Sequence, residues 1–345
     1  MGFRIESGHS LGLQRVLDPP GVLAQAARVL DASLPPYANE VLLAVDILQI
    51  DSASFRQFKT QYETPEAIAV AVMAIVSVHG KLQNPVTGSG GMLLGRVAAI
   101  GPDFPDKTLQ VGDRLVTLIS LTATPLSLTD VRRVEIEKER ALVSGHALLG
   151  PHALYARLPE DLPEGAALAA FDICGAPADA LRLTGTTDTV FILGLGKAGR
   201  SVAAAISRYI PEARVLGMDA YGPAVEFCRG HYLGEFGLLD AGDPLAVSDW
   251  IYARTKGQGA DLTISCANRP DTEMAAILAT RVGGRCLYFG MATNFQKAAL
   301  GAESVGRDVR LLIGSGYVPG HAETMLQLLR DDKGLLNFFT EGFTL

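Results

Sequence analysis

The sequence predicts an α/β protein of two domains: an antiparallel, barrel-like β domain in the N-terminal half and a doubly wound parallel sheet in the C-terminal half. Three observations carry this. The chain has 345 residues, too many for one compact core. Its first half reads as short strands broken by Gly and Pro. From about residue 164, apolar strands alternate with helical segments, the pattern of a parallel sheet covered on both faces.

The strands expected in the first half are "EVLLAVDILQI" (40–50), "MLLGRVAAIG" (92–101) and "DRLVTLIS" (113–120). The insertion between the first two holds "AIAVAVMAIVSV" at 67–78, read as a buried helix because a nearly apolar run of twelve residues falls short of a ~20-residue membrane span. In the second half the strands are "TVFILGLG", "RVLGMD", "DLTISCA", "RCLYFGM" and "VRLLIGS", and "AGRSVAAAISRYI" is the first connecting helix.

Composition narrows the class of function. Cys174, Cys228, Cys266 and Cys286 form no Cys-x-x-Cys pair, which argues against a disulfide framework or zinc knot and for a reducing, cytoplasmic setting. No apolar leader or lipidation box is apparent at the ends. A net charge of −7 without a basic block predicts neither nucleic acid nor membrane as partner. The six histidines fall in no metal-ligand pattern.

"FILGLGKAGRS" places Gly194, Gly196 and Gly199 in G-x-G-x-x-G spacing, after a strand and at the mouth of a helix. Such glycines serve a tight turn, close backbone approach to a pyrophosphate, and helix-on-strand packing. The next strand ends in Asp219, twenty residues beyond Gly199, where a carboxylate can hold the adenosine ribose hydroxyls. That favours NAD, with NADP as the alternative, since a 2′-phosphate would meet a negative charge. The competing reading is plain packing glycines and a solvated Asp219. Arg200, just inside the helix, can pair a phosphate or face solvent.

A second glycine-rich stretch, "NPVTGSGGMLLGRVAAIG" (84–101), is no phosphate loop. It lacks the Lys-Ser/Thr pair, and it enters a strand.

In this setting the residues resemble the medium-chain dehydrogenase superfamily: a GroES-like β-barrel catalytic domain followed by a Rossmann domain. The strings "EVLLAVDILQIDSASF", "GMLLGRVAAIGPDF", "LQVGDRLVTLIS", "LPEDLPEGAALAAF" and the glycine fingerprint come in that superfamily's order. More narrowly, "QNPVTGSGGML", "CGAPA", "MATNFQKAALGAESVG" and "LLIGSGYVPGHAE" are similar to its diaminohexanoate dehydrogenase branch. The resemblance implies a catalytic domain over 1–163, a dinucleotide domain over 164–318, and a C-terminal helix and tail, 319–345, returning toward the catalytic domain. It also implies NAD(P)-dependent oxidation of the 3-amino group of a small diamino acid, 3,5-diaminohexanoate, to 5-amino-3-oxohexanoate and ammonia in lysine fermentation. A homodimer joined through the edge of the Rossmann sheet follows by analogy.

Zinc-dependent members of the superfamily carry a His-Glu pair at the strand after the second glycine loop. Aligning Gly95 on their strand glycine puts Met92 and Leu93 there, with Asp51 and the Asp172 region at the other ligand positions. A thioether and two carboxylates make no tetrahedral zinc site, so a metal-free, acidic cavity is expected. Amine oxidation by hydride transfer needs the neutral amine, hence a proton acceptor. Asp51 and Asp172 are the leading catalytic candidates, and Glu303 is a third; each of the first two can alternatively cap a helix. Ser52, Lys81, Thr87, Ser89, Lys297 and His321 are candidate substrate contacts, with Lys81 suited to a substrate carboxylate and His321 to proton shuttling. The glycines of "TGSGG" would let backbone pass close to substrate. The dinucleotide set is Gly194, Gly196, Lys197, Ala198, Gly199, Asp219, Cys266, Ala267, Asn268, Gly290 and Met291. The rival readings are a zinc-free quinone or enone reductase and a nucleotide-binding protein without catalysis.

Overall fold

A computed structural model describes residues 2–341, and the chain divides into two compact units between Glu164 and Gly165. In the first unit a small antiparallel pair, β1 (Val16–Asp18) and β2 (Val29–Leu30), precedes a six-stranded antiparallel sheet. Its strands are β3 (Val41–Gln49), β4 (Met92–Ile100), β5 (Arg114–Thr117), β6 (Leu126–Glu135), β7 (Arg140–Leu149) and β8 (Tyr155–Arg157). They lie in the order β6-β7-β3-β4-β5-β8. The three strands read from sequence are β3, β4 and β5; the hairpin β6–β7 and the short β8 are additional. "TDVRRVEIEKER" interrupts the apolar alternation there with charges, because much of β6 faces outward.

Helices α1 (Ser52–Gln61) and α2 (Pro65–His79) fill the insertion between β3 and β4. Asp51 and Thr64 cap them through their side chains, and Gly80, at φ 61°, ends α2 in the left-handed region. The expectation that the Ala/Val helix is buried needs correction. Ile68, Val72 and Val76 are buried, but Val70 is 70% and Val78 64% exposed. The face packed on β6 and β2 is covered, and a nearly apolar run whose one polar residue is Ser77 marks the other face poorly. The core of this unit gathers Leu43, Leu48, Phe55, Phe58, Leu93 and Leu115.

The second unit opens with α3 (Glu164–Phe171) and α4 (Gly175–Leu183). There follow β9 (Thr189–Leu193), α5 (Lys197–Tyr209), β10 (Arg214–Asp219), α6 (Gly222–His231), β11 (Glu235–Leu238), α7 (Pro244–Arg254) and β12 (Ala260–Ser265). Then come α8 (Glu273–Ala279), β13 (Thr280–Tyr288), α9 (Phe295–Ser304), β14 (Arg310–Ile313), α10 (His321–Asp331) and α11 (Lys333–Glu341). All six strands are parallel, in the order β11-β10-β9-β12-β13-β14. Numbered within the unit, that is 3-2-1-4-5-6, whose direction of winding reverses between β9 and β12 and opens a crevice at their carboxyl ends. The central strands are buried on both faces, with Phe191, Leu193, Leu216 and Met218 on one and Val190, Ile192 and Val215 on the other, so they read as unbroken apolar runs.

The described part of the C-terminal segment forms two helices. Helix α10 packs on α4 and α5, and α11 on α5 and α10, so both belong to the second unit. The reason lies in the apolar stripe Met325, Leu326, Leu328, Leu329 of α10, continued by Leu335 and Phe339 of α11, which is buried here. Residues 342–345 of the expected tail lie outside the described residues.

Candidate active site

The dinucleotide cradle sits where β9 turns into α5. Gly194 has φ 93°, and a Cβ on it would lie 2.8 Å from the Ala267 nitrogen. A Cβ on Gly199 would strike the Gly194 carbonyl oxygen, so the third glycine is required by the strand-helix approach. Gly196, the N-cap of α5, has open space in front of it and offers no side-chain cap. The first N–H groups of the helix are left for an anion. Backbone closeness repeats at the neighbouring strand ends: Cys266 N donates to Leu193 O at 2.8 Å, and a Cβ on Gly290 would meet Ala267 O. The loops after β9, β12 and β13 thus come together at one end of the sheet. Ala198 is buried beneath the cradle, whereas Asn268 and Met291 are exposed, Met291 by 85%. The Cys266 thiol is pushed up to about 12 by burial and has no nucleophilic role at neutral pH.

Asp219 ends β10 with both carboxylate oxygens engaged. Oδ2 accepts from Leu195 N at 2.6 Å and Oδ1 from Tyr221 N at 2.8 Å. The carboxylate ties the glycine turn to the start of α6. Its remaining lone pairs are available to ribose hydroxyls.

The other candidates of this unit gather at the α3–α4 turn. Asp172 lies between the two helices with Oδ2 3.4 Å from Lys197 Nζ, the first side chain of α5. It does not cap α4, whose N-cap is Cys174 without a side-chain bond. Burial and the charges of Asp172 and Glu323 push the Cys174 thiol up to about 12, leaving it a small buried hydrophobe. Gly175 touches Gly316, which brings the 315–320 loop onto the same turn. His321 follows that loop as the first residue of α10. It is 5% exposed and edge-on to the Tyr317 ring at 5.2 Å, and burial lowers its pKa. Lys297 and Glu303 stay apart from this group. Lys297 is exposed and paired with Asp271, which holds it in the charged form, and Glu303 is exposed in the last turn of α9, a helix packed on α8.

In the first unit Asp51 is the N-cap of α1. Oδ1 accepts from Ser54 N at 3.0 Å, while Oδ2 is buried without a hydrogen-bond partner. Capping therefore uses one oxygen and leaves the other without a donor among the described residues. Ser52 Oγ donates to Glu139 Oε2 at 2.6 Å, and the Ser54 and Thr87 hydroxyls are 2.5 Å apart. Glu139 escaped the sequence reading, since "EIEKER" looks like a solvated turn. Its place is set by pairing: Gln49 faces Arg140 across β3 and β7, and Ile50 N donates to Glu139 O at 3.0 Å. Glu139 also has φ 50°, an uncommon conformation for a side chain of this kind.

Two expectations are overturned here. Lys81 is 1% exposed, and its ammonium donates to the carbonyls of Ala24, Gln25 and Thr122 at 3.2, 3.3 and 2.9 Å. A lysine with three backbone acceptors ties the chain together and is not free for a substrate carboxylate. The glycines of "TGSGG" are also explained from within. A Cβ on Gly90 would strike Leu82 O, and one on Gly91 (φ 93°) would strike Gln49 O, so both approach the protein's own backbone. Only Gly88 faces open space. Ser89 is half-buried, with its N–H 3.3 Å from Thr87 Oγ1.

The donor set does not fit zinc. Met92 is a buried thioether at the head of β4, and among the described residues no three His, Cys, Asp or Glu side chains are grouped to hold a metal ion.

A 3-2-1-4-5-6 sheet with an open glycine cradle, preceded by an antiparallel-sheet domain, is the fold of the medium-chain dehydrogenase/reductase class. An alcohol dehydrogenase from Thermotoga maritima shares the fold, with a TM-score of 0.54 at 15% identity over 89% of this chain and 86% of that one. The chain belongs to the L-erythro-3,5-diaminohexanoate dehydrogenase family. The model of that enzyme's N-terminal domain matches residues 14–159. L-erythro-3,5-diaminohexanoate dehydrogenase from Acetoanaerobium sticklandii is 41% identical over 94% of this chain and 96% of its own length. The enzyme of the same name from Fusobacterium nucleatum is 39% identical over 98% and 99%.

Proposed function

We propose that the protein oxidises (3S,5S)-3,5-diaminohexanoate at C3 to 5-amino-3-oxohexanoate and ammonia, with NAD as hydride acceptor, in lysine breakdown. The observation that carries this reading is the second oxygen of Asp51, a buried acceptor with no donor of its own at a position where zinc enzymes of this class hold a metal ligand. A substrate ammonium supplies the missing donor. A charge pair ~4 Å apart is worth about 4 kcal/mol at an effective dielectric of ~20, before desolvation.

Asp51 first accepts a proton from the C3 ammonium, which frees the nitrogen lone pair. The glycine cradle would hold a nicotinamide nucleotide, which would supply the acceptor for the C3 hydrogen and its electron pair. Water adds to the resulting iminium carbon. One proton of the added water passes to nitrogen and the other leaves from oxygen to solvent as the C–N bond breaks with its electrons on nitrogen, so that ammonia departs and the ketone forms. Within the second unit, Asp172 beside Lys197 is a further candidate proton acceptor, and burial lowers the pKa of His321, which favours its neutral form. Glu139, fixed by Ser52, provides a further carboxylate for the ammonium that does not react. Gly194, Gly196, Lys197 and Gly199 hold the pyrophosphate, and Asp219 the adenosine ribose.

A homodimer and a cytoplasmic setting belong to the same reading. The edge strand β14 leaves Ile313 62% exposed, which supports pairing of two copies there, and four free cysteines support a reducing compartment. Among the described residues no helix is long and apolar enough to cross a membrane.

The test is NADH formation from 3,5-diaminohexanoate, run beside simple amino acids, alcohols and an enone with NADPH. Turnover confined to the diamine, with one ammonia released per NADH, is expected. Turnover of the enone alone, or binding of NAD with no turnover of any substrate, overturns the proposal.

A further inference from the structure

Arg200 directly follows the last glycine of the cradle, yet it neither faces solvent nor pairs with a phosphate-binding loop. It is 5% exposed, with its guanidinium 4.9 Å from the Phe227 ring centre and 4.1 Å from that of Phe338. Among the described residues no carboxylate forms an ion pair with it, and its Nε is buried without an acceptor. Burying an unpaired cation is costly, and burial accordingly lowers its pKa. Asp219 is near enough to act on it, but that carboxylate is already engaged by Leu195 N and Tyr221 N.

The guanidinium opens onto a cleft of about 360 Å³ between the start of α5, α6 and α11, a volume within the range of small-molecule sites. Phe227 and Phe338, with ring centres 5.6 Å apart, pack together against one side of the cation, and its N–H groups are left for a partner. They suit the two oxygens of a carboxylate or phosphate. Tyr221, His231 and Asn337 add polar groups to the lining, and Pro223 and the two phenylalanines add apolar wall. His231 is stacked on Phe227 at 4.2 Å, with Nδ1 2.8 Å from the Phe227 carbonyl. The acidic member of the lining, Glu341, is exposed at the end of α11.

The geometry points to a second ligand site in this cleft, distinct from the dinucleotide and substrate sites, for a small organic anion: a carboxylate or phosphate ester on an apolar body, held by Arg200. Occupancy touches the first turn of α5 and the Tyr221 end of α6, the two elements that Asp219 ties together. The site stands on the cleft alone and is independent of which amine the enzyme oxidises.

The full-length protein is titrated calorimetrically with 3-phenylpropanoate and, separately, with phenyl phosphate, each with and without saturating NAD. One equivalent of at least one probe is expected to bind with NAD present, and preference between the probes distinguishes a carboxylate from a phosphate ligand. Arg200→Gln removes the cation, and Asn337→Trp fills the cleft from an exposed position. Each is expected to weaken binding roughly tenfold or more, the loss of a charge-assisted hydrogen bond or of the space itself. Should Arg200→Gln not fold, Asn337→Trp decides alone. Absence of saturable binding by both probes, binding unchanged by the variants, or complete displacement by NAD overturns the proposal.

Discussion

The carboxylate of Asp219 accepts the Leu195 N–H at 2.6 Å, joining the end of β10 to the glycine turn after β9. The side chain that would recognise ribose also braces the loop that would cradle pyrophosphate. Asp219→Ala should therefore weaken NAD by more than one lost ribose contact: roughly 10- to 100-fold, from about 1.5–3 kcal/mol for a charged hydrogen-bond acceptor. Relief of repulsion should partly offset that loss for NADP. Calorimetric titration with both cofactors checks this, and unchanged affinities would remove Asp219 from the site.

Asp51 combines a cap with an unpaired oxygen, and two substitutions separate them. Asp51→Asn keeps the bond to Ser54 N and removes charge and basicity. Its kcat/KM for the diamine should fall by about 2–5 kcal/mol in transition-state terms, roughly 30- to several-thousand-fold, with NAD affinity and unfolding free energy nearly unchanged. Asp51→Ala should lose the cap as well, about 0.5–2 kcal/mol of stability. Asp172→Asn should also lower kcat/KM. If Asp51→Asn and Asp172→Asn both turn over normally, the acidic-site mechanism fails.

Lys81 makes stability depend on pH. Burial lowers its pKa from the ordinary 10.5 to about 8. Below pH 8 both folded and unfolded chains are protonated, and the cost of burying the charge is borne in full. Between about 8 and 10.5 the unfolded chain holds more protons, so stability rises with pH by up to about 3 kcal/mol. Urea denaturation at pH 7.5 and pH 10 should register that rise in the wild type but not in Lys81→Met.

The glycine loop offers a comparison between neighbours. At Gly91 an Ala side chain meets both a left-handed φ of 93° and the Gln49 carbonyl, whereas at Gly88 (φ 71°) it meets open space. Gly91→Ala should cost about 3 kcal/mol or more and Gly88→Ala about 1, the strain of the conformation alone. Equal melting temperatures for the two variants would contradict the packing explanation.

The parallel sheet, its glycine cradle and the acidic residue that ends β10 were legible in the sequence. These are local signals: a buried parallel strand must be an apolar run, and a turn into a helix against another backbone must be glycine. The helix start at Asp51 was legible for the same reason, since a cap acts within three residues. Tertiary structure alone decided which polar groups have partners. Lys81 looked like a ligand-binding cation until three carbonyls from residues 24, 25 and 122 closed on it. Glu139 looked like a solvated turn until the register of β3 against β7 set it beside Ser52. Arg200 looked like a surface residue until α6 and α11 supplied the rings that enclose it. Each outcome depends on contacts between residues far apart in sequence, where the desolvation of a charge and the choice of its partner are settled by packing, and no periodicity or local spacing encodes them.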